Sequence, residues 1–274
     1  MDGSLLSNQS LMLATGRTVS ILRRPALRTA IIHANPEHML NPNPICLVLV
    51  NGFKSTFTES RKTRFFITFC ERANIDFATF DHAGHGPNPS VSFGECTLPM
   101  WKDDLNALIN DPNFVGSENS KVVLVACSMG LHLSLLCAQS NPRKICGIVG
   151  VGGACNFHSF VSGFYANSQV SDNVWMRESR YDPAGYPIYR KFIKSISECA
   201  INETTFCVDC PVVLVHGMQD EEVPFNDAIK VAQFITTKDV QVLLLKNGDH
   251  RLSSEQELAA IESEVQAMIS KIGV

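Results

Sequence analysis

Residues 121–139 read KVVLVACSMGLHLSLLCAQ. The first part, KVVLVAC, is apolar after Lys121 and has no polar alternation, as in a strand buried on both faces. The last part, LHLSLLCAQ, is a helical run. Between them stands Ala126-Cys127-Ser128-Met129-Gly130. A serine on a tight strand-to-helix turn is held proud of the sheet, and the backbone folds too closely there for large residues two before or two after it. The helix that begins at the turn aims its free N–H groups and positive dipole end at the serine. The usual pattern is Gly-x-Ser-x-Gly; Ala126 adds one methyl group to it. Read alone, these five residues also fit a plain strand-to-helix turn.

Five further apolar runs flank this one: ICLVLV (45–50), IDFATFD (75–81), ICGIVGVGG (145–153), PVVLVHG (211–217) and VQVLLLKN (240–247). Each is short, rich in Val, Ile and Leu, and reads as a strand covered on both faces. Amphipathic segments lie between most of them. In the last, Leu258, Ile261, Val265, Met268, Ile269 and Ile272 share one helix face, and Ser254 with Glu257 gives a capping box. TVSIL…RTAIIHA (18–34) reads as a leading antiparallel pair with Arg24-Pro25 near its turn. The alternation predicts one α/β domain over residues 1–274, with a mainly parallel central sheet, helices on both faces and right-handed crossovers.

From Cys155 to about Cys210 the rhythm stops. Residues 157–192 hold nine aromatic side chains, including all four tyrosines. The segment is too long for a connecting loop and reads as a helical cap (155–210) inserted before the strand PVVLV. Ordinary packing of a satellite core would draw on the same residues.

A serine hydroxyl needs a base to become a nucleophile. His250, in Asn247-Gly248-Asp249-His250, follows the last strand and precedes the last helix, at a strand's carboxyl end where ligands gather in open α/β sheets. His132 falls inside the helix after Ser128 and reads as packed; His82 and His85 flank a glycine turn. His216 ends a strand and is suited to orienting nearby loops. The base in turn needs a carboxylate. Asp220, after PVVLVHGMQ, is the choice, with Glu221 and Glu222 as rivals; Asp249 adjoins His250, and neighbouring side chains on an extended loop point apart. An oxyanion requires two backbone donors. Met129 supplies one directly after the serine, and Phe53, in Asn51-Gly52-Phe53-Lys54, the other. Asp81-His82-Ala83-Gly84-His85-Gly86 is a turn after the next strand.

Composition narrows the classes. The chain has 45% hydrophobic and 18% charged residues, wrong for a disordered chain, and its net charge of −4 with no basic run argues against nucleic-acid binding. Ten cysteines are too few for a disulfide scaffold, and most sit in apolar runs, which suits reduced thiols and a cytoplasmic address. No stretch of about 18 uncharged apolar residues suggests a membrane span. Asp2 precedes the first apolar patch, unlike a signal peptide. Arg17, Arg23, Arg24 and Arg28 lie in a strand-like stretch, which disfavours mitochondrial import. Cys207-Val208-Asp209-Cys210 lacks the second pair of a zinc site and the following helix of a thioredoxin motif. GIVGVGG does not open a helix as a dinucleotide fingerprint does.

The order Ser128, Asp220, His250 and the turns around it resemble the α/β-hydrolase superfamily. HGMQDEEVPF (216–225), GDHRLS (248–253), SECA…CVDCP and TLPMWKDDL (97–105) are similar to its palmitoyl-protein thioesterase group, also described as acyl-glucuronide esterases. The resemblance covers roughly 45–270 and implies nucleophile, acid and base at these three positions. The sequence departs from it at Ala126, at Leu131 (where a second glycine is common) and at Asn51. The expected activity is serine hydrolysis of carboxylic esters or thioesters through an acyl-enzyme, with no cofactor or metal. The expected substrate is a small molecule or acylated protein with an apolar acyl group. A peptidase or carbon–carbon-bond hydrolase with the same triad remains open, as does a non-catalytic binding protein of this fold.

Overall fold

The structure is a computed structural model. It describes residues 45–86, 91–111, 115, 120–169 and 171–272 in full, and 8–12, 18–24 and 29–33 by their backbone. Six parallel strands form the central sheet: β4 (Ile45–Val50), β5 (Asp76–Thr79), β6 (Lys121–Cys127), β7 (Ile145–Val151), β10 (Val212–Gly217) and β11 (Val240–Leu245). Their spatial order is β11-β10-β7-β6-β4-β5. The unbroken apolar runs follow from burial on two sides. Along β4, Cys46, Val48 and Val50 enter one core while Ile45, Leu47 and Leu49 enter the other. In β6, Val122, Leu124 and Ala126 face the first core, and Val123 and Val125 the second.

The first core is covered by α2 (Leu98–Asn110) and α3 (Met129–Ser140), with α6 (Asn226–Phe234) further along the sheet. The second is covered by α1 (Arg61–Ala73) and α7 (Glu255–Ile272). Local chemistry sets their ends. The Ser60 hydroxyl accepts the Thr63 N–H at 3.2 Å at the start of α1, and Asn74 closes it in the left-handed conformation (φ 53°). The capping box of α7 forms reciprocally, with Ser254 N–H to Glu257 Oε2 at 2.7 Å and Glu257 N–H to Ser254 Oγ at 3.3 Å.

A three-stranded antiparallel sheet, β1 (Asn8–Met12), β2 (Thr18–Arg24) and β3 (Thr29–His33), precedes these elements. The expected pair is β2–β3, with Ile21 opposite Ile32. Arg23 and Arg24 lie in β2; Arg17, Pro25 and Arg28 lie outside the described residues.

Two expectations need correction. β11, one of the two edge strands of the central sheet, is only half-buried, with Gln241 exposed. The inserted segment is not purely helical. Besides α4 (His158–Asn167) and α5 (Arg190–Ser195) it holds an antiparallel hairpin, β8 (Val174–Ser179) and β9 (Asp182–Tyr189). Its polar inward positions, Arg177 and Ser179, hide the strand pattern, and Pro183, Gly185 and Pro187 make β9 read as non-strand.

Candidate active site

Four loops meet at the carboxyl ends of the central strands. Ser128 sits between β6 and α3 with φ 50° and ψ −119°, a strained backbone that lifts its side chain off the sheet. The turn is tied down by the Ser128 N–H to the Val151 carbonyl at 3.0 Å and by the Ala154 N–H to the Ser128 carbonyl at 3.0 Å. Gly130 must lack a side chain, since a Cβ there would lie 2.5 Å from the Val50 carbonyl oxygen. Ala126, which carries the extra methyl, is wholly buried and stands opposite Gly150 in the register of β6 on β7.

His250 lies on the loop between β11 and α7. Its Nε2 is 3.1 Å from Ser128 Oγ and its Nδ1 2.7 Å from Asp220 Oδ2. The three expected residues are therefore brought together. The Asp220 side chain is wholly buried on the loop after β10, where its Oδ1 accepts the N–H groups of Glu222 (2.9 Å) and Val223 (2.8 Å). His216 adds to this: its Nε2 stands 3.2 Å from Asp220 Oδ2 and 3.0 Å from the Val223 carbonyl. Burial alone would raise the Asp220 pKa. The hydrogen bonds from His216 and His250, the charge of His250 and the Val223 N–H outweigh it, and the carboxyl is held well below the usual carboxylate range.

Backbone packing fixes the two loops against each other. The Gln219 N–H donates to the Gly248 carbonyl at 2.9 Å. Gly152 (φ 54°) lies under both, where a Cβ would stand 3.0 Å from the His250 carbonyl and 3.6 Å from Asp220 Oδ2. The rival acids are engaged elsewhere. Glu221 pairs with Arg180 at 3.3 Å, and Glu222 binds Arg177 and the Ser179 hydroxyl. Asp249 Oδ1 caps the N–H groups of Arg251 and Leu252.

The loop after β4 closes the other side. A Cβ on Gly52 would lie 2.9 Å from Ser128 Cβ, so the chain passes directly beside the serine. Phe53 follows it, and Met129 opens α3, where a first-turn N–H has no carbonyl partner within the helix. The Asp81–Gly86 turn braces this loop. His85 Nε2 accepts the Lys54 N–H at 2.9 Å, His82 Nε2 donates to the Asn51 carbonyl at 3.1 Å, and Asp81 Oδ1 accepts the Phe57 N–H at 2.8 Å. Burial lowers His82 to about 3 and His85 to about 4, so both are neutral at pH 7. Asn51 is an anchor, donating to Thr79 Oγ1 and the Phe80 carbonyl. TLPMWKDDL serves the same turn: Trp101 Nε1 and Asp104 Oδ2 bind the carbonyl and N–H of Ala83. His132 is packed as expected, with Nε2 donating to the Cys199 carbonyl at 2.9 Å.

A cavity of about 430 Å³ opens over Ser128 and His250. Aromatic Phe53, Phe157, Phe160, Tyr181 and Tyr186 line part of it, and Lys54, Lys62, Arg177 and Arg251 another part. The aromatic segment therefore divides: Phe164 and Phe192 are core, as ordinary packing would have them. The cationic share had no sequence signal, because the partners of Lys62 and Arg177 lie far away along the chain.

The family described as serine aminopeptidase, S33, matches residues 43–178. The solved structure of alpha/beta hydrolase domain-containing protein 10 from mouse superposes with a TM-score of 0.77 at 27% identity, covering 94% of this chain and all of that one. The chain belongs to the α/β-hydrolase superfamily. A protein of Agrobacterium vitis has the same fold in its crystal structure, with a TM-score of 0.78 at 21% identity over 97% of this chain and 100% of its own. This α/β-hydrolase is also similar to the mitochondrial palmitoyl-protein thioesterase ABHD10 of Rattus norvegicus, 27% identical over 261 residues, or 93% of this chain and 84% of the relative. Among its described residues no helix is long and apolar enough to cross a membrane.

Proposed function

We propose that this hydrolase cleaves carboxylic esters or thioesters with Ser128 as nucleophile, His250 as base and Asp220 as the acid that orients it. The observation that carries the reading is the unbroken hydrogen-bond line from Asp220 Oδ2 through both nitrogens of His250 to Ser128 Oγ, at 2.7 and 3.1 Å. Ser128 attacks the acyl carbon while Nε2 takes its proton. Asp220 keeps the other ring proton on Nδ1 and stabilises the imidazolium. The Phe53 and Met129 N–H groups receive the oxyanion. Nε2 then gives its proton to the leaving alcohol or thiol, and next activates the water that releases the acid.

The aromatic side of the cavity suits an apolar acyl group. The thioester reading draws on the relatives' name, palmitoyl-protein thioesterase. We read residues 1–274 as one domain, with 155–210 as a cap over the cavity. The cytoplasmic assignment rests on ten unpaired cysteines, which suit a reducing compartment. Its check is cell fractionation, and recovery from mitochondria would overturn it.

Ser128→Ala is expected to cut kcat for p-nitrophenyl esters by on the order of 10⁶-fold and to abolish labelling by a fluorophosphonate. Retention of the wild-type rate would remove the serine mechanism.

A further inference from the structure

The loop that carries His250 is held in an uncommon shape. Leu252 has φ 42°, a left-handed conformation for a branched side chain, and that side chain is fully buried. Such backbone persists only where its surroundings over-determine it. Before His250 the chain is pinned by the Gln219 N–H on the Gly248 carbonyl at 2.9 Å. After it, the Arg251 carbonyl accepts the Ser253 hydroxyl at 2.8 Å and also the Nζ of Lys62, which reaches in from α1. The same Nζ lies 3.3 Å from Ser253 Oγ.

Lys62 is an expensive choice for that place. It is 9% exposed, and its hydrogen bonds go to a carbonyl and a hydroxyl rather than to a carboxylate. An ammonium so buried gives up its hydration. Burial pushes its pKa below the ordinary lysine value, against the partial support of nearby acids such as Asp249 and Glu257. An apolar side chain would fill the gap between α1 and the loop without that cost. What the ammonium adds is a donor aimed at the carbonyl of Arg251, the residue after the base.

We propose that Lys62 is a positioning residue for His250: it holds the Arg251 carbonyl, and so keeps the imidazole in line between Asp220 and Ser128. The kinetic part of this rests on the hydrolase reading; the geometric part does not. Two readouts on the full chain separate them. One is steady-state hydrolysis of a p-nitrophenyl ester. The other is the low-field proton NMR signal of the His250 Nδ1–H bound to Asp220, assigned by its loss in His250→Gln.

Lys62→Met keeps the length and removes the donors. It is expected to lower kcat about 100-fold, with KM changed by less than about twofold, and to move or broaden the low-field signal. Lys62→Arg, which keeps donors, restores most of both. Lys62→Leu, which also lacks donors, is read in the same way should the Met variant not fold. Unchanged kcat and an unchanged signal in Lys62→Met overturn the proposal. A rise in KM alone also overturns it, since Lys62 would then be touching substrate. If the wild type hydrolyses no ester but the signal shifts in Lys62→Met and returns in Lys62→Arg, the hydrolase reading falls and the positioning role stands.

Discussion

Leu131 occupies a place where the resemblance leads one to expect glycine, and two glycines elsewhere make its room. A Cβ on Gly153 would stand 2.2 Å from Leu131 Cδ2, and one on Gly150 3.0 Å from Leu131 Cδ1. The glycine-rich run GIVGVGG is thereby explained by close packing. The sequence alone supports only the exclusion of a nucleotide loop, because the side chain that needs the space is some twenty residues earlier in the chain. Gly153→Ala should overpack this contact and cost about 1–3 kcal/mol in urea unfolding. Adding Leu131→Val to it should recover part of the loss, and a loss that simply adds would mean that the two sites do not touch. At Asp220 the decisive quantity is the ring it orients. Asp220→Asn leaves the shape but favours the wrong imidazole tautomer, and should lower kcat about 10⁴-fold. A tenfold loss or less would point to another acid.

The hairpin β8–β9 shows why an element can escape a reading of its residues. Strands are recognised by apolar alternation, yet here Arg177 and Ser179 take the inward positions and Met176 points out, 51% exposed. The inward polar pair is stable because it meets Glu222 of the Asp220 loop: Arg177 Nη1 with Glu222 Oε2, and Ser179 Oγ with Glu222 Oε1 at 3.0 Å. The Arg177 guanidinium also lies 5.0 Å from the Phe160 ring centroid. Glu222 thus joins the inserted segment to the acid loop, since its own N–H is one of the two that Asp220 Oδ1 accepts. The Arg177 and Glu222 side chains are 17% and 10% exposed, so breaking the pair strands a buried charge. Arg177→Met should cost roughly 3 kcal/mol, and the double variant Arg177→Met/Glu222→Leu distinctly less than the two single changes together. Simple additivity in that cycle would show that the ion pair does not couple the elements.

At the scale of the whole molecule, the site lies where the chain reverses its direction of winding. From β4 the chain steps out to β5, then returns past β4 to β6 and continues to β7, β10 and β11. The crevice between β4 and β6 is the switch point at which open α/β sheets place their ligands, and Gly52 and Ser128 face each other across it. This much was legible because every central strand except β11 is buried on both faces and every expected site residue follows the carboxyl end of a strand. Lys62 was not, because a lone lysine in an amphipathic helix carries no sign of a partner near residue 251. The same burial that makes strands legible gives the fold a definite response to acid. His82, His85 and His132 are held at about 3, 4 and 4 by burial, far under the ordinary histidine value. Their contribution to stability is complete above about pH 6.5 and is lost as pH falls toward those values, because the unfolded chain then takes up protons that the folded one refuses. Asp81 acts in the opposite sense. Burial, against the Phe57 N–H, raises it to about 6, so between about pH 4 and 6 the folded chain holds a proton that the unfolded one has lost. Three sites against one leave the unfolded chain with about two extra protons near pH 5, and stability should fall steeply there on acidification. Asp81→Asn removes the opposing site while its Oδ1 can still accept the Phe57 N–H. The variant should therefore be more stable than the wild type at pH 7, by up to about 3 kcal/mol, and lose stability more steeply from pH 6 to 4. Urea unfolding across that range measures both, and a wild-type curve that rises as pH falls from 6 to 4 would show that the three histidines are protonated in the folded state.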